Sequence, residues 1–111
     1  MGLAQACNRS GHVDLVHLAR QTMGDRALER EVLGLFETNA RIQYQRLRAC
    51  TGADERNMVL HTLAGSASGI GAFGVAQAVQ ACQATGAGER EVDGLGRELD
   101  ETRRYIRELL A

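Results

Sequence analysis

The segment LHTLAGSASGIGAFG, Leu60 to Gly74, places His61 among small residues in a stretch otherwise suited to a helix. A neutral imidazole is a good nucleophile at physiological pH, because it titrates in that range. Gly65 follows one helical turn later. This spacing predicts that His61 accepts a transferred group on a helix face that Gly65 keeps open.

The apolar residues of this segment predict which side of the helix His61 occupies. At about 100° per residue, Val59, Leu63 and Ile70 fall on one stripe, flanked by Leu60 and Ala67. His61 lies about 180° from the middle of that stripe, so its side chain is expected to project to solvent. The same exposed side is predicted to hold Asn57, Met58, Ala64, Gly65 and Ser68, whereas Ser66 is expected on the inner side.

The cost of Gly65 needs an explanation, because glycine destabilises a helix interior by about 1 kcal/mol relative to alanine. One interpretation is that it clears space for a second protein to approach His61. The alternative, tight packing of a neighbouring helix, is less favoured because Gly65 faces away from the apolar stripe. An exposed histidine of no consequence is the remaining interpretation of His61.

Hydrophobic periodicity predicts five helices and no strands. They are expected at residues 12–22, 26–49, about 54 to 68 or 70, 72–85 and 89–110. Short turns connect the last four, so the fold class is predicted to be all-α, an antiparallel up-down four-helix bundle with a short additional N-terminal helix. A length of 111 residues is typical of one domain, covering residues 1–111.

Local signals set the expected helix ends and faces. Gly24 is predicted to end the first helix, while Asp25 and Asp54 are predicted N-caps of the second and third. The second helix is expected to bury one broad apolar stripe, and the fifth a seam at spacings of three and four. The stripe of the second helix comprises Leu28, Val32, Leu33, Leu35, Phe36, Ala40, Leu47 and Cys50.

Composition narrows the partners and the compartment. A net charge of −1 predicts neither a nucleic acid nor an anionic membrane as a partner. No apolar run is long enough to span a membrane, and the start of the chain lacks the pattern of a signal peptide. Cys7, Cys50 and Cys82 are scattered, which is typical of reduced thiols, so a cytoplasmic location is expected. Cys50 and Cys82 are predicted to act as small apolar residues.

Other catalytic or metal-binding patterns are weak. His12 and His17 are five positions apart, which is poor spacing for sharing one helix face, and no CxxC or HExxH motif is present. His17 is expected on the solvent side of the first helix. These observations disfavour a metal site and a hydrolytic enzyme, and no bound cofactor is predicted.

HTLAGSASGIGAFG resembles the signature of histidine-containing phosphotransfer (HPt) domains, in which a lysine, a glycine and a small residue follow the histidine at the third, fourth and fifth positions. The earlier segment VDLVHLARQTMGDRALEREVLGLF is similar to the family's opening, a short helix and a Gly-Asp turn before a long helix. The resemblance extends over about residues 12–110. It implies a phosphorelay intermediate of two-component signalling, in bacteria, working in the cytoplasm.

The resemblance also implies roles for individual residues. His61 would take a phosphoryl group from the aspartate of one response-regulator receiver domain and give it to another. Gly65 would admit the receiver, Ser66 would lie near the phosphorylated ring, and Gln83 would reach toward it from the next helix. The docking patch would include Asn57, Met58, Ala64 and Ser68. A hybrid histidine kinase would act upstream, and Mg²⁺ would come with the receiver.

Position 64 departs from the family pattern, because alanine stands where the family has lysine. A lysine one turn from the histidine can offset phosphoryl charge. Arg56 is the nearest basic residue in sequence. The departure keeps a second hypothesis open, a degenerate HPt-like module that binds receivers without carrying phosphate. The chain is expected to be a stoichiometric carrier without an ATP-binding domain, and a monomer, although the sequence leaves dimerisation open.

Overall fold

Five helices make up the computed structural model, which describes residues 12–111. In chain order they are α1 (Leu15–Gln21), α2 (Arg26–Ala49), α3 (Ala53–Ile70), α4 (Phe73–Thr85) and α5 (Glu89–Leu110). The described residues contain no strand. The predicted all-helical class is therefore confirmed. The predicted bounds of the second and fifth helices match α2 and α5.

Capping explains where two helices begin. Asp14 caps α1: its carboxylate accepts hydrogen bonds from the backbone N–H groups of Val16 and His17, each at 3.1 Å. The first helix therefore starts at Leu15 rather than at residue 12. Asp25 caps α2 as predicted, accepting from the N–H of Leu28 at 3.0 Å.

One predicted helix start is wrong, and one predicted helix end is confirmed. Asp54 lies inside the first turn of α3, and Gly52 is the N-cap without a side-chain hydrogen bond. Asp54 still carries a negative charge where the helix dipole favours one. At the other site, α1 ends at Gln21 with Thr22 as its C-cap. Gly24 closes the turn that follows, as predicted: it has φ +76°, and its N–H donates to the carbonyl of Ala19 at 2.9 Å. The buried hydroxyl of Thr22 donates to the carbonyl of Leu18 at 2.9 Å, which satisfies that end of the helix.

The four longer helices pack in a closed order around one apolar core. α2 lies against α3 and α5, and α4 lies against the same two helices. α1 packs on α3, where the backbone N–H of Asp14 donates to the carbonyl of Gly71 at 2.9 Å. The core draws on all five helices and on the residues just before α1 and α4; its largest fully buried side chains include Leu18, Leu60, Leu63, Leu95 and Ile106.

The face that α2 buries is narrower than its apolar stripe predicts. Only Leu33, Phe36, Ala40 and Leu47 of that stripe are buried. Leu28 and Leu35 are 40% and 56% exposed. The reason is that α2 packs mainly against two helices, α3 and α5, which leaves the apolar residues at the edges of its stripe uncovered.

Polar contacts join α2 to α5 on their outer side. The carboxylate of Glu37 accepts from Arg103 Nη2 at 2.9 Å and from Arg107 Nη1 at 3.0 Å. Farther along, the hydroxyl of Tyr44 donates to the carbonyl of Val92 at 3.0 Å. These contacts fix the register of the two long helices. Within residues 12–111, no helix combines the length and the apolar character that crossing a membrane requires.

Candidate functional site

His61 lies in the middle of α3 with its side chain exposed. The stripe predicted to lie behind it is buried, namely Val59, Leu60, Leu63, Ala67 and Ile70. Because the apolar side of α3 is buried against other helices along its length, the opposite side has a fixed orientation toward solvent. The predicted outward direction of His61 is therefore confirmed.

Gly65 is exposed one turn beyond His61. A Cβ atom placed on this glycine would meet no atom within 4 Å. The same holds for Gly69, one further turn along α3. No neighbouring helix therefore needs a glycine at position 65, which removes tight packing within this chain as an explanation of Gly65.

A shallow groove runs beside Gly65 between α2 and α3, with a volume of about 280 Å³. It places the exposed Leu35 next to the open glycines of α3. Ser66 is exposed and lines this groove, so its predicted place on the inner side of α3 is wrong. The reason is that Ser66 lies at the edge of the apolar stripe, where the groove separates α2 from α3. The groove is lined by Val32, Leu35, Phe36, Asn39, Gly65, Ser66, Gly69 and Ile70.

The remaining residues of the predicted docking patch divide in two. Asn57, Met58 and Ser68 are exposed, and Met58 is 69% exposed. Ala64 is half-buried and packs against the core, so its predicted place on the fully exposed side is wrong. Its position on the edge of α3, beside the core stripe, explains this. A longer side chain at position 64 would have to extend outward to reach solvent.

Gln83 is exposed on α4, the helix that packs against α3. No hydrogen bond joins Gln83 to His61 among residues 12–111, so the two residues share neighbouring helices but not a contact. The predicted reach of this side chain toward the imidazole stays a prediction.

The chain segment that carries His61 is uncharged over a long stretch, a feature that lies outside the signature motif. From Asn57 to Gly88 the chain has no Asp, Glu, Lys or Arg. Arg56 is half-buried and lines a separate cleft with Leu47 and Glu89, so it does not take the place of the missing lysine. This absence of charge can be read directly from the sequence, where the uncharged segment is uninterrupted.

The two other histidines of the chain pack against aromatic rings. The His12 ring lies 5.5 Å from that of Tyr105, and the His17 ring meets Phe73 edge-on at 5.2 Å. Both histidines are half-buried, so the predicted solvent-side position of His17 is wrong. The position differs because Phe73, the first residue of α4, packs its ring against the imidazole of His17. Neither histidine belongs to the surface around His61.

The cysteines fall where small apolar residues would. Cys82 is buried in the core, as predicted, and burial raises the pKa of its thiol, with the Glu91 carboxylate adding to the effect. Cys50 is half-buried, and its Sγ lies 3.3 Å from the carbonyl of Leu47. Cys7 lies outside the described residues. Within residues 12–111, no group of three or more His, Cys, Asp or Glu side chains could hold a metal ion.

This arrangement offers an exposed imidazole in the middle of a helix whose opposite side is buried. From Asn57 to its end at Ile70, α3 carries no Asp, Glu, Lys or Arg beside the imidazole. Comparison of the chain with family models, with curated proteins and with solved structures found no match.

Proposed function

We propose that this protein is a phosphorelay intermediate of the HPt type. In this proposal α2–α5 form an antiparallel up-down four-helix bundle, and α1 is the short additional helix. The closed order in which the four helices pack supports this architecture, as do the short connections between them. The observation that carries the function is the exposed His61 with the open Gly65 one turn away on the same helix face.

The proposed reaction is in-line transfer from a receiver's aspartyl phosphate. The unprotonated imidazole nitrogen of His61 attacks phosphorus; an N–P bond forms as the aspartyl O–P bond breaks, and the carboxylate leaves with the electron pair. The receiver supplies Mg²⁺, which neutralises charge on the phosphoryl oxygens. The carrier supplies position and access. The reverse reaction on a second receiver passes the group on.

Because the segment that carries His61 is uncharged, compensation of the phosphoryl charge would come mainly from the partner. Since Ala64 stands where the family has lysine, the phosphoryl group on His61 would meet no cation of the segment between Asn57 and Gly88. Cation and metal would both come from the receiver. In the same proposal the protein works in the cytoplasm, downstream of a hybrid histidine kinase.

A labelling experiment tests the proposal. The protein is incubated with a receiver domain phosphorylated on its aspartate, and the expected product is acid-labile, alkali-stable label on this chain. His61→Gln should abolish the label and keep the helical circular dichroism spectrum, because the side chain is exposed. His17→Gln is the matched control and should keep the label.

The second candidate function is a degenerate module that docks receivers without carrying phosphate. Ala64 and the uncharged segment from Asn57 to Gly88 favour it, because neither supplies a cation to a phosphorylated imidazole. Binding of a receiver, measured by titration calorimetry, together with absent label under the same conditions would establish this alternative. Label on His61 would eliminate it.

A further inference from the structure

The outward side of α2 carries an apolar stripe that no other part of residues 12–111 covers. Leu28, Leu35 and Ile42 are 40%, 56% and 44% exposed. They are spaced by seven positions, so they align along one side of the helix to within about 20° per step. We call these three residues, together with Glu31 and Arg46, the outer α2 face.

Two residues of opposite charge lie on the outer α2 face. Glu31 and Arg46 point to within about 40° of the direction of Leu35. Both side chains are exposed, and neither makes an ion pair with any of residues 12–111. Their charges are therefore available to a partner.

The positions along the outer α2 face are symmetric about one point. The midpoint between positions 31 and 46 falls between Thr38 and Asn39. Leu35 and Ile42 have the same midpoint, and so do positions 28 and 49. A second copy of α2, laid antiparallel with a twofold axis at that midpoint, therefore places apolar against apolar and Glu31 against Arg46.

We propose that the outer α2 face is a self-association surface, on which two copies of this chain pack α2 against α2 in antiparallel orientation. Such a contact is isologous, because each copy presents the same surface to the other. It buries Leu35 against Ile42 twice and makes two Glu31–Arg46 ion pairs. The complementary charges are what single out a second copy of this chain as the partner.

The expected strength is low. A single pair of helices about 30 Å long buries less surface than a standard stable interface, so the dimer forms in the micromolar to millimolar range. At lower concentration the protein is a monomer. Leu35 and Asn39 also line the groove beside Gly65, so self-association and docking at that groove use overlapping surface.

Sedimentation equilibrium tests the proposal with the full chain, from about 10 µM to about 1 mM at low salt. The wild-type protein should pass from monomer to dimer across this range. Glu31→Arg or Arg46→Glu alone should weaken association by about three- to tenfold, because like charges then meet twice in each dimer. Both substitutions in one chain should restore it, since the pair is only reversed.

The control variant makes the same change in net charge at a residue outside the outer α2 face. Arg41→Glu alters an exposed residue of α2 that points about 120° away from Leu35, and it should leave association unchanged. A wild-type protein that stays monomeric at about 1 mM, or a double variant that fails to recover, would overturn the proposal. A monomer whose transfer from a receiver is lost in Leu35→Glu would also overturn it, by assigning the face to receiver docking.

Discussion

Asp14 and Gly71 join the start of α1 to the end of α3: the Asp14 N–H donates to the Gly71 carbonyl at 2.9 Å. The contact depends on glycine for two reasons. Gly71 has φ +84°, and a Cβ atom on it would lie 2.8 Å from the Asp14 carbonyl oxygen. Gly71 thus has two roles: it ends α3 in a left-handed turn, and it contacts the start of α1.

Gly71→Ala is expected to destabilise the protein by about 2 to 4 kcal/mol, the sum of a left-handed alanine and a backbone clash. Urea unfolding followed by circular dichroism measures the change. Gly69→Ala is the control, because its Cβ would meet open space; it should be neutral or stabilise by up to about 1 kcal/mol. Equal effects of the two substitutions would contradict this account of Gly71.

Gly65 should separate stability from function. Gly65→Ala is expected to raise the free energy of unfolding by up to about 1 kcal/mol, since the new methyl group enters open space on a helix. Gly65→Arg should also fold, yet block phosphoryl transfer to His61, because its side chain fills the approach to the imidazole. Labelling by a phosphorylated receiver measures transfer. Normal transfer by a folded Gly65→Arg variant would refute the access role.

Ala64→Lys should lengthen the lifetime of phosphorylated His61, or slow its onward transfer, by about two- to fivefold, the effect of one exposed ion pair. Ala64 is half-buried, so the lysine would extend its stem along α3 and bring its charge toward the phosphoryl group. Decay of label after removal of the receiver measures the lifetime. Ala64→Gln matches the size without the charge. Identical decay in all three proteins would mean that charge at position 64 is unimportant.

Cys82 should resist alkylation in the folded protein. Burial raises the pKa of its thiol, so at mildly alkaline pH it remains protonated, whereas the thiolate is the reactive form. Cys50, half-buried, should react with iodoacetamide before Cys82 does, as read by peptide mass mapping. In urea the two should react alike. The stabilising effect of the buried neutral thiol is present below its ordinary pKa and is lost as pH rises through the raised value.

The sequence by itself determined the helices and the direction of His61. The bounds of α2 and α5 followed from uninterrupted apolar periodicity and from breaks at glycine-rich turns. The outward projection of His61 followed from Val59, Leu63 and Ile70, because rotation about a single helix axis is fixed by 100° per residue. These are properties of one helix, and a sequence pattern contains them.

Only the tertiary structure decided how far each helix face is covered. Leu35 and Ser66 flank a groove because α2 and α3 leave their shared outer side open, and Ala64 is half-buried on the other edge of the same helix. His17 is less exposed than its sequence position predicts, because the ring of Phe73, more than fifty positions later in the chain, packs against it. The burial of a residue at the edge of a helix face depends on where a neighbouring helix packs. The periodicity of one segment does not specify the position of another helix.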